Sequence, residues 1–345
     1  MDTVCVLIEP KNAQQPMRSN SMSTEDVAVR RATDNDLAEM IELCQRSLGW
    51  DAGGVDEAFF RWKHVDNPAG PSPSSVATAP TGEIVGVRVF MRWRFQEAGK
   101  GLMGVGAVDT AAAPEWRGRG VFSRLTLGAL TGLTDDGVDF VFNTPNDQSR
   151  PGYLKMGWEL VGRMPFGVRF RPGALVFGRS LMAPAERWGE DTSVGDPAVD
   201  VLGELDLADM IGTVLDERPG LATRVSPDWL AWRYRFPELN YRAVPLDGSD
   251  CSNGLIIFRL RRRGPAIECT VCETLAPRLA DLRRPLRGLL RATGADLLLV
   301  APQAGIATGT IPAPMGPRLT WKPLCRAGVP DRSDLHLTLG DLELF

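Results

Sequence analysis

The 345-residue chain has only two histidines, six thinly spread cysteines and no long uninterrupted apolar run. A membrane-spanning helix needs roughly 18 or more such residues in succession, so no membrane segment or membrane partner is expected. The first ten residues lack a basic start followed by an apolar stretch, which argues against a signal peptide. Scattered cysteines are the usage of a reducing compartment, where no disulfide framework is needed, and point to the cytoplasm. A basic surplus is also missing: the net charge is -4 and the pI near 5.5, so nucleic acid is not an expected partner. The arginine-rich stretch Arg259 to Arg263 is offset by acidic residues elsewhere. Cys269-Thr270-Val271-Cys272 has no second cysteine pair or nearby histidine to complete the four ligands of structural zinc. On a strand these two thiols face opposite sides as small buried hydrophobes, and no metal is expected.

With 43% hydrophobic and 24% charged residues, the composition is that of a globular protein. The length fits two domains, on a prior of roughly 100–200 residues each. Residues 1–24 carry no apolar period and read as a disordered leader. A first domain is expected over 25–173, a linker over 174–197 and a second domain over 198–345. Val27 to Arg30 reads as a strand, Thr33-Asp34 as a helix cap, and Leu37, Met40, Ile41, Cys44 and Leu48 as one helix face. Strands are expected at Ser75 to Ala79, Glu83 to Phe95, Met103 to Ala113, Val138 to Asn143 and Val161 to Phe170. Helices are expected near Val121 to Leu133 and Gln148 to Met156. The order is that of a mixed α/β layer structure.

The second half echoes the first. Phe59-Phe60-Arg61-Trp62-Lys63 is matched by Trp229-Leu230-Ala231-Trp232-Arg233, and each precedes a polar turn and then strands. A degenerate tandem duplication follows from these anchors.

One stretch carries chemistry. Ala113-Pro114-Glu115-Trp116 leads into Arg117-Gly118-Arg119-Gly120 between a strand and a helix. A helix N-terminus presents unpaired N–H groups and partial positive charge, and glycines before it let the backbone approach an anion. Arg117 and Arg119 can add charge-assisted hydrogen bonds to phosphate. The Gly-Lys-Ser/Thr of a nucleotide P-loop and the Gly-x-Gly-x-x-Gly of a dinucleotide fold are both missing.

Together with Asn146, Ser149, Tyr153, Gly157 and Trp158 downstream, Pro114, Arg117, Gly118 and Gly120 match a paired signature. By these residues the chain resembles the GNAT superfamily of acyl-CoA N-acyltransferases over 25–170. The resemblance implies a GNAT fold, recurring in degenerate form in the second half, with acetyl-CoA as acyl donor. It also implies that the fourth and fifth strands splay apart, with Thr110, Ala111 and Ala112 pairing with the pantetheine arm and polarising the thioester carbonyl. The amides of Gly118, Arg119, Gly120, Val121, Phe122 and Ser123 would hold the pyrophosphate, Asn146 would hydrogen-bond the cofactor arm, and Ser149 is a further cofactor-binding candidate. Phe122 departs from the family's small residue, and only a ring turned away from the pyrophosphate is tolerable there.

Tyr153 is implied as proton donor to the departing thiolate; as a bland alternative it packs on the sheet. A phenol near pKa 10 must be tuned to protonate a thiolate whose acid lies near 8.5. Asp109 and Glu115 are candidate bases, each equally readable as a solvated or capping carboxylate. His64 is expected on the surface. Pro277 and Arg278 stand where the second half would need the turn, but no glycine accompanies them, so no pyrophosphate site is expected there. That half would instead cover the acceptor side or form a homo-oligomer surface. Two-domain relatives of the enhanced-intracellular-survival type carry a third, sterol-carrier-like domain and use a chain-terminal carboxylate; this chain is expected to lack that domain, although it ends in Phe345.

Three functions fit: an N-acyltransferase acting on an amino sugar, aminoglycoside, polyamine or peptide amine; a non-catalytic acyl-CoA-binding sensor or assembly module; and transfer from aminoacyl-tRNA. The missing basic surplus disfavours the last, and Tyr153 favours the first, since a binder needs no proton donor.

Overall fold

The computed structural model describes residues 27–50, 54–172, 183–215, 220–247, 251–301, 309–313 and 316–342; the expected leader, most of the first part of the linker and Phe345 lie outside them. The first half contributes β1 (Ala28–Arg31), α1 (Leu37–Leu48), α2 (Val55–His64), β2 (Ser74–Thr78), β3 (Ile84–Glu97), β4 (Lys100–Ala112), α3 (Val121–Asp135), β5 (Phe140–Asn143), α4 (Arg150–Lys155), β6 (Glu159–Arg163) and β7 (Phe166–Phe170). The second contributes β8 (Asp196–Pro197), α5 (Ala198–Glu204), α6 (Leu207–Leu215), β9 (Leu221–Thr223), α7 (Pro227–Arg233), β10 (Arg242–Pro245), β11 (Leu255–Arg263) and β12 (Ala266–Leu275). It continues with α8 (Arg283–Thr293), β13 (Leu297–Val300), β14 (Ile311–Ala313), β15 (Arg318–Pro323), β16 (Leu335–His336) and α9 (Leu339–Leu342).

Local chemistry sets these boundaries. Thr33 and Asp36 form a capping box ahead of α1, and Gly49, at φ 70, ends it in the left-handed region. The face of α1 carrying Met40, Ile41, Cys44 and Leu48 is buried. Ala98 and Gly99, at φ 48 and 76, turn β3 into β4. The expected single strand over Val161 to Phe170 is instead two strands, β6 and β7. Pro165 between them has no N–H to offer a ladder, and Met164 N–H bonds Pro317 O at 2.9 Å.

The break separates the two strands into different sheets. The first sheet runs β1-β2-β3-β4-β5-β15-β6, and the second, read from its far edge, β8-β10-β11-β12-β13-β7-β14. The two orders repeat one pattern, with the penultimate strand of each supplied by the other half. In each sheet a central parallel pair, β4 with β5 and β12 with β13, is joined through a crossover helix, α3 or α8; the first sheet also carries the parallel pair β9 with β16. The two sheets are consistent with tandem GNAT-like domains.

The halves also lock through their echoed motifs. Trp62 and Trp232 stack with ring centroids 5.4 Å apart. The indole N–H of each donates to the backbone carbonyl of the other, at 2.8 and 2.7 Å. One aromatic-rich core, including Phe59, Trp93, Trp229, Phe236 and Trp321, spans both halves. Among the described residues no helix is long and apolar enough to cross a membrane.

The arginine-rich strand β11 alternates. Arg259, Arg261 and Arg263 are buried, while Arg262 points out to Glu190. Arg261 donates to Glu268 at 2.7 Å, Arg263 donates to its other oxygen, and Thr270 Oγ1 donates at 2.6 Å. Burial opposes the Glu268 charge, but Arg261 and Arg263 outweigh it and hold the carboxyl at about 2. The carboxylate therefore stabilises the fold above the ordinary glutamate range near 4.3, and that contribution is lost as pH falls through about 2. Glu268→Gln should cost about 3–5 kcal/mol, because two buried guanidiniums lose their counter-charge. Thermal unfolding at neutral pH measures the loss, and the variant should lose part of the wild-type acid sensitivity.

Candidate functional site

The site begins with an interrupted ladder. β4 pairs with β5 only from Gly104 to Gly106, opposite Phe140 to Phe142, while β4 itself runs on to Ala112. Gly104 permits the close approach, since a Cβ there would lie 2.5 Å from Phe140 and 2.7 Å from Phe95. The pairing ends at Gly106, and β5 itself ends one residue later, at Asn143. Further along, Asp109 and Thr110 on β4 stand against the single residue Arg88 on β3. This is a β-bulge, and Asp109 takes φ 42, a left-handed conformation uncommon outside glycine.

The bulge sends its two side chains to different partners. Asp109 Oδ2 lies 2.6 Å from both Lys63 Nζ and His64 Nε2, while His64 Nδ1 is 2.9 Å from Ser72 Oγ. Burial opposes the Asp109 charge, yet Lys63 and then His64 overcome it and hold the carboxyl far below the usual range. Burial lowers His64 more than Asp109 raises it, so the ring is neutral near pH 7. A neutral ring donating Nε2–H to Asp109 then accepts the Ser72 hydroxyl at Nδ1. The expected surface position of His64 is corrected: it is 3% exposed, drawn in by the carboxylate at the bulge. Thr110, by contrast, accepts a hydrogen bond from Arg88 Nη1.

A 3-10 turn, Pro114 to Trp116, links β4 to the glycine turn. Gly118 and Gly120 lie at φ 73 and 77, where a side chain is strained. Gly86 lets α3 settle on β3, since its Cβ would meet Val121 at 2.7 Å. The first N–H groups of α3 have no intrahelical acceptor. Arg117 is used as a brace: Nε donates to Ala112 O at 3.3 Å and Nη2 to Ser47 O at 3.2 Å. Arg119 sits over the Trp116 ring, its carbon 5.6 Å from the centroid. Glu115 is exposed on the turn.

On the opposite wall, Asn146 Oδ1 accepts from Ser149 N and Oγ, both at 2.9 Å, and from Gln148 N at 3.1 Å. That arrangement fixes the start of α4. Tyr153 on α4 is 2% exposed, with Phe122 edge-on at 5.3 Å and Trp158 at 5.4 Å. Phe122 is thus turned toward Tyr153 and Gly152 and forms part of the wall. Between these walls lies a cleft of about 100 Å³ that brings together Thr110, Ala111, Ala112, Arg117, Phe122 and Ser149. Ser47 and Leu48 at the end of α1 close one side. Gly118, Arg119 and Gly120 are exposed on the adjoining turn, whereas the Asp109 side chain is turned inward beside α2, 8% exposed. Lys63, Ser72 and Arg88 were not singled out from sequence. Arg88 interrupts the apolar run Val85 to Met91, and Lys63 ends the echoed motif; those were the available signals. Among the described residues no cluster could hold a metal ion, and Cys269 and Cys272 are both fully buried.

Residues 28–161 match the family model described as Acetyltransferase (GNAT) domain, and this stretch of the chain is a GNAT acetyltransferase domain. Among solved structures the chain is similar to a probable N-acyltransferase from Enterococcus faecalis, at 12% identity and TM-score 0.62, covering 87% of this chain and 73% of that one. A GCN5-related N-acetyltransferase from Kribbella flavida is 18% identical, with TM-score 0.58 and 87% and 71% coverage. Eis1 from Mycobacterium abscessus is 12% identical, with TM-score 0.51 and 86% and 73% coverage. At these identities the likeness is one of fold. No curated protein matches the chain by sequence.

The Lys63–Asp109 contact can be tested by stability. Asp109→Asn should cost about 3–5 kcal/mol, since it leaves a fully buried ammonium without its counter-charge. Adding Lys63→Met to it should recover part of the loss in thermal unfolding.

Proposed function

We propose that the chain is an acyl-CoA-dependent N-acyltransferase that moves an acetyl group from acetyl-CoA to a primary amine of a small molecule or peptide. One observation carries this reading: the β4 edge from Thr110 to Ala112, Arg117 of the turn before α3, Phe122 on α3 and Ser149 at the start of α4 line a single cleft, with Tyr153 packed behind Phe122. Each supports a different part of the reaction. The turn and the free N–H groups of α3 would hold the pyrophosphate. The unpaired edge at Thr110 to Ala112 would bind the pantetheine arm and polarise the thioester carbonyl. Asn146 and Ser149 would shape the arm's other side.

The amine attacks the thioester carbon, a C–N bond forms, the C–S bond breaks and its electron pair passes to sulfur. Tyr153 would supply the sulfur's proton. Of the two candidate bases, Asp109 is engaged by Lys63 and His64 and too weakly basic to take a proton near neutral pH. Glu115 is exposed on the turn, and we assign the amine's deprotonation to solvent. The second half, which lacks the glycine turn, would shape the acceptor side. Cysteine usage supports a cytoplasmic setting.

Calorimetric titration with acetyl-CoA tests the donor. We expect one site per chain, lost when Gly118 and Gly120 are both changed to Val; no heat from the intact wild type would reject acetyl-CoA. Once an amine acceptor is found, Tyr153→Phe should lower kcat by about 10²–10⁴-fold. Acetyl-CoA affinity should change by less than about threefold, as expected of a group acting in the transition state.

A further inference from the structure

Arg88 lies under the cleft and is fully buried. Its guanidinium carbon sits 4.9 Å from the Phe90 ring centroid, 5.6 Å from Phe122 and 5.4 Å from Tyr153. Nη1 donates to Thr110 Oγ1, and Thr110 lines the cleft. Among the described residues, Nε and Nη2 have no hydrogen-bond partner, and Arg88 makes no salt bridge. Arginine stays charged at every working pH, so the site holds a cation sealed from water without a counter-ion. Ring faces attract a cation but do not accept its remaining N–H groups as an anion does. Buried charge of this kind is paired in most folds. Of the four other buried arginines, Arg261 and Arg263 share Glu268, Arg233 donates to Tyr241 and Gly340 O, and Arg259 donates to Arg187 O at 3.1 Å.

The proposed reaction produces one anion at this place. When the thioester breaks, the C–S electron pair goes to sulfur, next to Tyr153 and the Thr110 edge. We propose that Arg88 is the counter-charge for the coenzyme's sulfur, stabilising the departing thiolate until it is protonated and binding free CoA as its thiolate. This rests on the acyl-CoA reading above. The argument needs no particular acceptor amine, because the charge appears on the donor whatever attacks it. It also relieves the mismatch between a phenol and a thiol as acids, since the leaving group then need not be protonated as the bond breaks.

The test is a binding measurement. CoA and acetyl-CoA are titrated into the full chain near pH of about 7.5, in two buffers of different ionisation enthalpy, so that proton release is read from the heats. Free CoA is mostly thiol at that pH, given a reference pKa of about 8.5. Wild type should therefore release close to one more proton per site with CoA than with acetyl-CoA, and the phosphates common to both cancel. Arg88→Met should abolish the difference and weaken CoA by roughly ten- to hundredfold relative to acetyl-CoA, the range for a hydrogen bond to a charged group. Arg88→Lys, which keeps the charge, should retain a proton difference. Arg88→Met removes an unpaired buried cation, so its thermal unfolding should match or exceed that of wild type. Equal proton release from both ligands in wild type, or an unchanged difference in Arg88→Met, overturns the assignment to Arg88. Failure of both ligands to bind wild type rejects the acyl-CoA reading, and this assignment with it.

Discussion

The contact between Lys63 and Asp109 fixes a backbone geometry on which the rest of the site depends. Asp109 sits at φ 42 in a bulge, a conformation that persists only when its surroundings hold it. Here the hold comes from an ammonium with no exposed surface and an imidazole, both on the last turn of α2. Turning Asp109 toward α2 lets its neighbour Thr110 turn toward Arg88 and the cleft. A bulge re-aims the strand it interrupts, and β4 here carries on past the last residue that β5 pairs with. An apolar pair of similar volume could stabilise the fold as well. What the ion pair supplies is register: it specifies which residue of β4 is the extra one, and thereby which backbone edge faces the opening.

The second half keeps this frame without the chemistry. Its fourth-strand equivalent, β12, also carries an extra residue, Cys272, between partners of Ile257 and Phe258. Arg233 stands where Lys63 stands in the echoed motif, equally buried, and donates to Tyr241 and a backbone carbonyl. The helix α8 begins after a turn without glycine. The exchange of β7 and β15 between sheets explains why such a half is retained: β5 and β6 meet only through β15, so the wall that carries α4 depends on a strand from the far end of the chain. Trp62 and Trp232, each capping the other's carbonyl, are the aromatic counterpart of that exchange.

Much of this was readable in the residues, and the limits have physical causes. The α1 face, the β3–β4 hairpin and the glycine turn are local features, set by period, cap and φ, and local chemistry signals them. The match of Trp62 to Trp232 was legible because both copies kept the same side chain. The strand exchange was not, because pairing partners across roughly 150 residues leave no local trace, and only Pro165 hinted that the run from Val161 to Phe170 breaks. His64 was misplaced for a related reason. Its sequence neighbours are polar, but Lys63 and Asp109 are neutralised by each other in space and go inside together. The GNAT family of the first half was legible because its signature lies in two short stretches, whereas Arg88 lies outside both.

The charge distribution of the site follows from these placements. The arginines of the turn looked like phosphate ligands, yet Arg117 spends its donors on Ala112 O and Ser47 O, tying the turn to β4 and α1. Arg119 rests on Trp116. Positive potential at the turn therefore comes first from the backbone of α3, which is fixed in place and needs no side-chain ordering when an anion arrives. Deeper in, it comes from Arg88, held by rings that shield it from water. A site built this way needs no surplus of basic residues, which accords with a chain of net charge -4. Its positive charge is concentrated at two points, the turn before α3 and Arg88 beside Tyr153, and the coenzyme proposed above, with anionic phosphates and a sulfur that becomes anionic, has its charges in that order.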